Sequence, residues 1–199
     1  SQVVSTPGTV AVGGQWLAFT TDTEGAKVDG VWVKSTDIQC HNGVIHVIDS
    51  VMLPSDADIV QVAAKNGSFS TLLAAAQAAG LAETLKSSGP FTIFAPTDDA
   101  FANLGDKTIA SLLLPKNREI LARILKHHVV AGRMYSPEAV SAGSVMTLAG
   151  TRLPIAITDK GAMVGTASIV ATDVDAKNGV IHVIDTVLIP STSVSMAQD

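Results

Sequence analysis

A segment of 13 residues occurs twice in this chain, at positions 42–54 and 178–190, and 10 of its positions are identical. At the same offset of 136 residues, the similarity extends without a gap over residues 10–54 and 146–190, with 17 identities in 45 aligned positions. Chance does not preserve register over such a length. One structural unit is therefore present twice.

The duplication is incomplete, because residues 55–136 precede the second copy whereas only 9 residues precede the first. We call residues 55–136 the front half, residues 137–190 the back half and residues 1–54 the lone back half. The sequence predicts a complete domain over residues 55–190, preceded by this β-rich half-domain and followed by a tail over residues 191–199. Two origins of the lone back half stay open at this stage, a native design and a truncation of a second full domain.

Composition narrows the class of protein. With 199 residues, 47% of them apolar, and a mean hydropathy of +0.36, the chain can build a packed core. A net charge of −5 without a cluster of Lys or Arg argues against a nucleic-acid-binding surface. No apolar stretch reaches the ~18 residues of a membrane span. Residues 1–4 lack the features of a signal peptide, as would a mature N-terminus left by cleavage. Cys40 is the one cysteine, which excludes an intrachain disulfide, and its alignment with Ala176 predicts a small buried side chain.

The front half has the pattern of helices with a strand between them. Apolar residues recur at helical spacing from Phe69 onward and again over residues 117–127, while residues 91–95 are β-branched and aromatic. The sequence 66–68 matches an N-glycosylation pattern, but it also fits a turn between two helices, which we favour. These patterns predict a largely helical front half.

Polar residues mark one helix start in the front half. Thr97 is placed to accept hydrogen bonds from backbone N–H groups as a helix cap. Asp98 and Asp99 follow in the first turn, beside the positive end of the helix dipole. The three residues therefore predict a helix that begins after Thr97.

The back half consists instead of short segments rich in Val, Ile, Thr and Gly, which is typical of closely spaced strands. Asn178 and Gly179 predict a tight hairpin turn with positive φ angles. Residues 180–185 are mostly apolar on both alternating faces, which predicts a strand that is buried on two sides.

Four motifs in this order resemble those of the fasciclin domain. The resemblance covers residues 55–190 as one complete domain and residues 10–54 as the back half of another. The motifs read Gly-Ser-Phe-Ser-Thr-Leu at 67–72, Thr-Ile-Phe-Ala-Pro-Thr-Asp-Asp-Ala-Phe at 92–101, Leu-Lys-His-His-Val-Val at 125–130 and the repeated segment at 178–190.

The resemblance implies an α+β fold, a fasciclin-like β-wedge packed against a group of helices, without a cofactor. It also implies an adhesion or matrix module that is extracellular, at the cell surface or periplasmic, and that binds other proteins or surface glycans. The third motif commonly has tyrosine where this chain has His127. Integrin-type recognition, attributed to that tyrosine in animal relatives, is therefore not carried over to this chain.

The residue types of an acid–base or metal site are present, but their spacing argues against catalysis. Adjacent His127 and His128 on a helix point about 100° apart and cannot face one metal, and no two histidines have the spacing of a zinc-binding helix. We expect His128 and His182 to be buried and hydrogen-bonded, with His128 bonding its helix end to the helix start at residues 97–99. The sequence predicts no catalytic residue, no metal and no cofactor.

Two tryptophans are the candidate interface residues, because Trp16 and Trp32 of the lone back half align with Arg152 and Ser168. Ordinary packing under a loop is the alternative interpretation. A half-domain of 54 residues is too small to stand alone. Exchange between copies cannot cover it, because each chain carries one front half and two back halves. The alternative to an adhesion module is therefore a self-assembling subunit, a homo-oligomer or filament, with the lone back half as its interface.

Overall fold

The computed structural model describes residues 8–159 and 161–190. The chain forms two compact units, residues 1–54 and residues 55–199, which we call the N-terminal unit and the C-terminal unit. The expected tail, residues 191–199, lies outside the described residues. Within the described part of the chain, no helix is long and apolar enough to cross a membrane.

The N-terminal unit is a five-stranded meander in which each strand pairs antiparallel with the next. Among its described residues, Val28 is the one buried apolar side chain. The unit therefore has a sheet but little core. Its strands are β1 (Gly8–Val10), β2 (Trp16–Asp22), β3 (Gly25–Val28), β4 (Val31–Cys40) and β5 (Gly43–Ile48).

The C-terminal unit combines helices from the front half with strands that come mainly from the back half. The helices are α1 (Ile59–Asn66), α2 (Ser70–Ala79), α3 (Ala82–Lys86), α4 (Asp98–Leu104), α5 (Asp106–Leu112), α6 (Arg118–His127) and α7 (Ser136–Ala142), with a 3₁₀ turn at Pro115–Asn117. The strands are β6 (Phe91–Pro96), β7 (Val129–Ala131), β8 (Ser144–Met146), β9 (Arg152–Thr158), β10 (Gly161–Val164), β11 (Ala167–Ala176) and β12 (Gly179–Ile184).

The seven strands of this unit form one sheet in the order β7-β6-β12-β11-β10-β9-β8. The pair β6–β12 is parallel and joins the two halves of the domain, while the other pairs are antiparallel. The two end strands also approach each other, because Leu148 N donates to Val129 O at 2.7 Å and Val130 forms a bridge with Thr147. The sheet thus curves into a nearly closed wedge.

Strand β12 lies at the centre of the core. All six of its residues are buried, so the predicted burial on two sides is confirmed. On one face Ile184 packs with Phe94 and other apolar residues of the wedge. On the other face Ile181 and Val183 pack with the helical side of the domain. The predicted α+β architecture, a wedge against a group of helices, is confirmed.

The two sequence copies fold alike in detail. Strand β4 bulges between Val33 and Ile38 as β11 bulges between residues 169 and 174, at the same offset of 136. In both bulges an aspartate has a positive φ, 58° at Asp37 and 60° at Asp173. Short polar side chains tolerate this left-handed conformation better than most residues. The duplicated aspartate is therefore compatible with the bulge in both copies.

One local expectation about the backbone was wrong. The hairpin before β12 does not use positive φ angles at Asn178 or Gly179. Asn42 and Gly43 of the first copy do not use them either, so this backbone is a property of the duplicated hairpin itself. Helix α2 is preceded by Phe69, which makes no side-chain cap bond. Its free N–H groups are instead bound by an aspartate from a distant part of the chain.

The first prediction uses two equivalent glycines, Gly179 and Gly43. A Cβ at Gly179 would overlap the Phe91 carbonyl oxygen and lie 2.6 Å from Ile59 Cδ1, whereas a Cβ at Gly43 meets nothing within 4 Å. We expect Gly179→Ala to lower the free energy of unfolding of the C-terminal unit by about 2–3 kcal/mol. Gly43→Ala should change stability by less than about 0.5 kcal/mol. Urea unfolding followed by circular dichroism at 222 nm measures both, and equal effects would contradict the prediction.

Candidate functional site

Asn178 connects the two halves of the complete domain. Its side chain is buried, and Oδ1 accepts a hydrogen bond from Ile59 N at 2.9 Å, at the start of α1. Its Nδ2 donates to Leu85 O at 2.7 Å and to Ser87 O at 2.8 Å, at the end of α3. A single amide thus satisfies three backbone groups at helix termini. This explains an asparagine here better than the turn that the sequence predicts.

His182 makes a second connection between the halves. The ring is buried, stacks on Phe94 with centroids 5.5 Å apart, and places Nε2 3.0 Å from Met134 O. Its Nδ1 accepts from Asp173 N at 3.3 Å, so the proton lies on Nε2 and is donated to Met134. Burial lowers the pKa of His182, which favours the neutral ring.

His128 is a third buried contact, with a partner other than the expected one. Its Nδ1 lies 2.8 Å from Ile124 O within the same helix, and its Nε2 accepts from Leu188 N at 2.9 Å. The sequence expectation of a bond to the helix start at residues 97–99 was wrong, because the segment after β12 returns to this helix end. Burial lowers the pKa of His128 to about 4.

The aspartate pair after β6 divides into two different roles. Thr97 Oγ1 accepts from Ala100 N at 3.2 Å and so caps α4. Asp98 reaches away from its own helix and accepts from Ser70 N, Ser70 Oγ and Thr71 N at 3.2, 2.7 and 2.8 Å. Asp99 is exposed. Burial alone would raise the pKa of Asp98, but the hydrogen bonds from Thr71 and Ser70 outweigh it and the pKa is lowered.

Sequence reasoning missed a polar cluster around Arg133. This guanidinium donates to Asp175 Oδ1 at 2.9 Å and to the carbonyl oxygens of Ala176 and Lys177 at 2.9 and 3.0 Å. The hydroxyl of Tyr135 donates to the same carboxylate at 2.7 Å, and burial raises the pKa of Tyr135 to about 12. These residues come from different parts of the sequence and follow no local spacing, so no signal in the sequence reveals the cluster.

Asp173 extends the same group of contacts, and the sequence did contain a signal for it. Its carboxylate accepts from Ser136 N at 2.7 Å and from the Ser136 hydroxyl at the start of α7. Asp173 is identical to Asp37 at the duplication offset. The same aspartate with a left-handed backbone in both copies indicates that this residue belongs to the structure that the two copies share.

A cleft of about 350 Å³ lies beside His127, the residue at the tyrosine position of the motif. The His127 ring is buried, its Nδ1 hydrogen-bonds the Thr151 hydroxyl, and burial lowers its pKa. Arg152 and Pro190 are among the other lining residues, so the cleft is partly polar and partly apolar. None of its described lining residues is a carboxylate, so the cleft itself lacks an acid to act with the imidazole.

The N-terminal unit carries a larger and more apolar cavity of about 410 Å³. Its apolar lining residues include Leu17, Phe19, Val28, Ile48 and Met52. Their counterparts at the offset of 136 are Leu153, Ile155, Val164, Ile184 and Leu188, each of which is at most 4% exposed in the C-terminal unit. The same sheet face is therefore core in one unit and open in the other.

The tryptophans and the cysteine lie away from this cavity. Trp16 and Trp32 are half-buried within their own unit, where Lys27 Nζ sits 3.9 Å from the centroid of the Trp32 ring. Neither tryptophan lines the cavity, and their interface role stays a prediction. Cys40 is exposed, so the expected burial was wrong. The reason is that its counterpart Ala176, which is 0% exposed, packs against helical residues that the N-terminal unit lacks.

Clusters suited to metal binding are not found in the described part of the chain, where no group of three or more His, Cys, Asp or Glu residues could hold an ion. The expected absence of metals and of catalysis stays a prediction.

Comparison with known proteins agrees with the motifs. The family model described as the fasciclin domain matches residues 2–54 and 67–190. This chain belongs to the fasciclin domain family. The match to residues 2–54 places the lone back half in the family as well.

Relatives come from bacteria and animals. Protein sll1483 of Synechocystis is 49% identical over 144 residues, which is 72% of this chain and 79% of the relative. Transforming growth factor-beta-induced protein ig-h3 of Oryctolagus cuniculus is 35% identical over 163 residues, which is 81% of this chain but 24% of that longer protein. A solved domain pair from the insect cell adhesion molecule fasciclin I matches 92% of this chain and 70% of its own, with a TM-score of 0.65 and 18% identity. That structure supports the fold alone.

A second prediction compares the neighbouring aspartates. Asp98→Ala should lower the free energy of unfolding of the C-terminal unit by about 1–2 kcal/mol, because the N–H groups of Ser70 and Thr71 lose their acceptor. Asp99→Ala removes an exposed carboxylate and should cost less than about 0.5 kcal/mol. Urea unfolding at neutral pH measures both. An effect of Asp99→Ala as large as that of Asp98→Ala would show that charge at the α4 start matters more than these hydrogen bonds.

A third prediction concerns pH. His128 has a pKa of about 4 in the folded unit against 6.5 in the unfolded chain. Between these values the unfolded state binds more protons, so the free energy of unfolding should fall as pH drops from 6.5 to 4 and then level off. His128 contributes up to about 3 kcal/mol to this change in the free energy of unfolding, since each pKa unit corresponds to about 1.4 kcal/mol.

The test is urea unfolding at several pH values between 4 and 7. The pKa values of His127 and His182 are lowered as well, so both residues add to the slope of the free energy of unfolding against pH. Replacement His128→Gln should reduce the slope. A slope that is the same in His128→Gln and in the original chain would refute the assignment.

Proposed function

We propose that this chain is an extracellular or cell-surface adhesion or matrix module that acts by binding other proteins. The observation that carries this proposal is the open apolar surface of the N-terminal unit. Ile38, Val44, Ile45 and Val47 are between 42% and 52% exposed, and Val51 and Leu53 are more than 80% exposed. We call these six residues the aliphatic patch. Exposed aliphatic side chains in this number favour a protein partner.

The same patch argues for protein rather than glycan as the partner. Sugar hydroxyls require hydrogen-bonding groups on the protein, whereas the patch offers aliphatic side chains beside an apolar cavity. Membership of the fasciclin domain family supports the adhesion role. The same membership supports a location outside the cytoplasm and a role without catalysis.

A second candidate function is self-assembly. In the described structure β5 is an end strand of its sheet, so its outer backbone N–H and C=O groups are available to another strand. Two copies that pair these edges symmetrically would close as a dimer, and a head-to-tail contact would grow a filament. The aliphatic patch would be covered in either assembly.

The fourth prediction tests protein binding directly. Beads coated with the chain should adhere to intact cells of the source organism, and protease treatment of the cells should abolish adhesion while glycosidase treatment should not. Ile45→Asp should reduce adhesion at least about tenfold, because a charge in the patch opposes apolar burial. The matched control is Ile157→Asp, an exposed isoleucine at 69% in the C-terminal unit, which should not change adhesion.

Sedimentation of the original chain over a range of concentrations separates the two functions. A monomer that adheres to cells supports the adhesion module. If the chain associates with itself, Ile45→Asp abolishes that association and the chain does not adhere to cells, self-assembly replaces adhesion as the function. Adhesion that survives protease and disappears with glycosidase would overturn the choice of a protein partner.

A further inference from the structure

The C-terminal unit shows what covers the face that is open in the N-terminal unit. Strand β6 pairs in parallel with β12, from Phe91 opposite Gly179 to Pro96 opposite Ile184. Phe94 and Val130 pack in the cluster that contains the counterparts of the cavity residues, and Met134 packs against it. All of these covering residues belong to the front half. The cavity of the N-terminal unit is therefore the space that front-half side chains fill in the complete domain.

Polar residues that receive the front half are also retained in the N-terminal unit. Asn42, His46 and Asp37 are identical to Asn178, His182 and Asp173 at the offset of 136. In the complete domain the three counterparts bind five front-half residues through their side chains. These are Ile59, Leu85 and Ser87 for Asn178, Met134 for His182 and Ser136 for Asp173.

The N-terminal unit contains the internal part of this arrangement. Asp37 N donates to His46 Nδ1 at 3.3 Å, as Asp173 N donates to His182 Nδ1 at the same distance. The remaining bonds join the back half to backbone groups of a front half. An apolar partner of another kind would require only an apolar surface on the N-terminal unit. It would not require this set of an asparagine, a histidine and an aspartate. The retained set is specific for the backbone of a fasciclin front half.

A second copy of this chain is a poor source of that front half. Its single front half is already bound to its own back half through Asn178, His182 and the β6–β12 pair. A front half that moved to a neighbour would leave another back half uncovered, so the number of open faces would not change. The occupant must come from outside the 199 residues.

We propose that the open face of the N-terminal unit binds a fasciclin-type front half that lies outside residues 1–199. Its strand pairs in parallel with β5 as β6 pairs with β12. Its helices bury Ile45 and Val47, whose counterparts Ile181 and Val183 pack with the helical side of the C-terminal unit. Its backbone groups bond Asn42, His46 and Asp37. This assignment rests on the proposed protein-binding function and names the partner of that surface.

Two residues of the N-terminal unit provide site-specific probes of occupancy. Cys40, the one cysteine of the chain, is exposed, whereas its counterpart Ala176 is 0% exposed beneath the helices. Gly43 has room for a Cβ in the open unit, whereas a Cβ at Gly179 would overlap Phe91 O of the paired strand. The accessibility of Cys40 therefore shows whether a front half is bound to the N-terminal unit. Gly43→Ala should prevent this binding without disturbing the open unit.

The experiment adds a front half in the register that the duplication defines. Since residue 1 aligns with residue 137, a copy of residues 55–136 is joined directly before Ser1. The reaction of Cys40 with a soluble thiol reagent is measured in the original and the extended chain. We expect at least about tenfold slower reaction in the extended chain, together with a gain in helical circular dichroism.

Two variants make the result specific. Gly43→Ala in the extended chain should restore the fast reaction of Cys40, while in the original chain it should leave the rate unchanged. Asn42→Ala in the extended chain should speed the reaction by a smaller factor, because hydrogen bonds are lost without a steric block. The reaction needs no cells, so its outcome is independent of the adhesion assay.

Several outcomes would overturn the proposal. An extended chain that gains helix signal but leaves Cys40 as reactive as before would show that the added front half does not dock on this face. An extended chain that gains neither helix signal nor protection would show that the N-terminal unit does not accept a front half. Protection of Cys40 in the original chain that rises with its concentration would identify a second copy as the occupant.

Discussion

The parallel pairing of β6 with β12 is the contact on which the complete domain depends. Both strands are interior to the sheet, and β12 is buried on both faces. Parallel neighbours cannot be joined by a hairpin, so a long crossover that contains the helices and the meander connects them. Helices from the front half then cover one face of β12, and the wedge covers the other. Without this pair the back half remains a meander with an open end.

Buried polar side chains secure the same junction. Asn178 and His182 each bond backbone groups of the front half, and His128 bonds the segment after β12. Among the described residues, no buried side-chain nitrogen or oxygen lacks a hydrogen-bond partner. Unpaired polar groups in such positions would each cost about 1–3 kcal/mol, so the arrangement strongly favours one register between the halves. These histidines are thereby explained as framework rather than as acid–base groups.

The duplicated strands show how far context decides burial. The sequence Gly-Val-Ile-His-Val-Ile forms β5 and β12 alike, with the same bulge in the neighbouring strand. In β12 every residue is buried, while in β5 the first five are exposed and Ile48 is half-buried. The strand itself is local, because β-branched residues and a tight hairpin favour it in both places. Its burial is supplied by a front half that one unit has and the other lacks.

The sequence by itself determined the duplication, the division into halves, the α+β architecture and the family, because each is written in periodicity or in ordered motifs. It also indicated that His128 and His182 are buried, since both stand in apolar segments. Only the tertiary structure decided their partners. Asp98 binds the start of α2, His128 binds Leu188, and Arg133 joins Tyr135 and Asp175. These contacts cross between elements that are distant in sequence, and no local preference of the chain specifies which elements the folded core brings together.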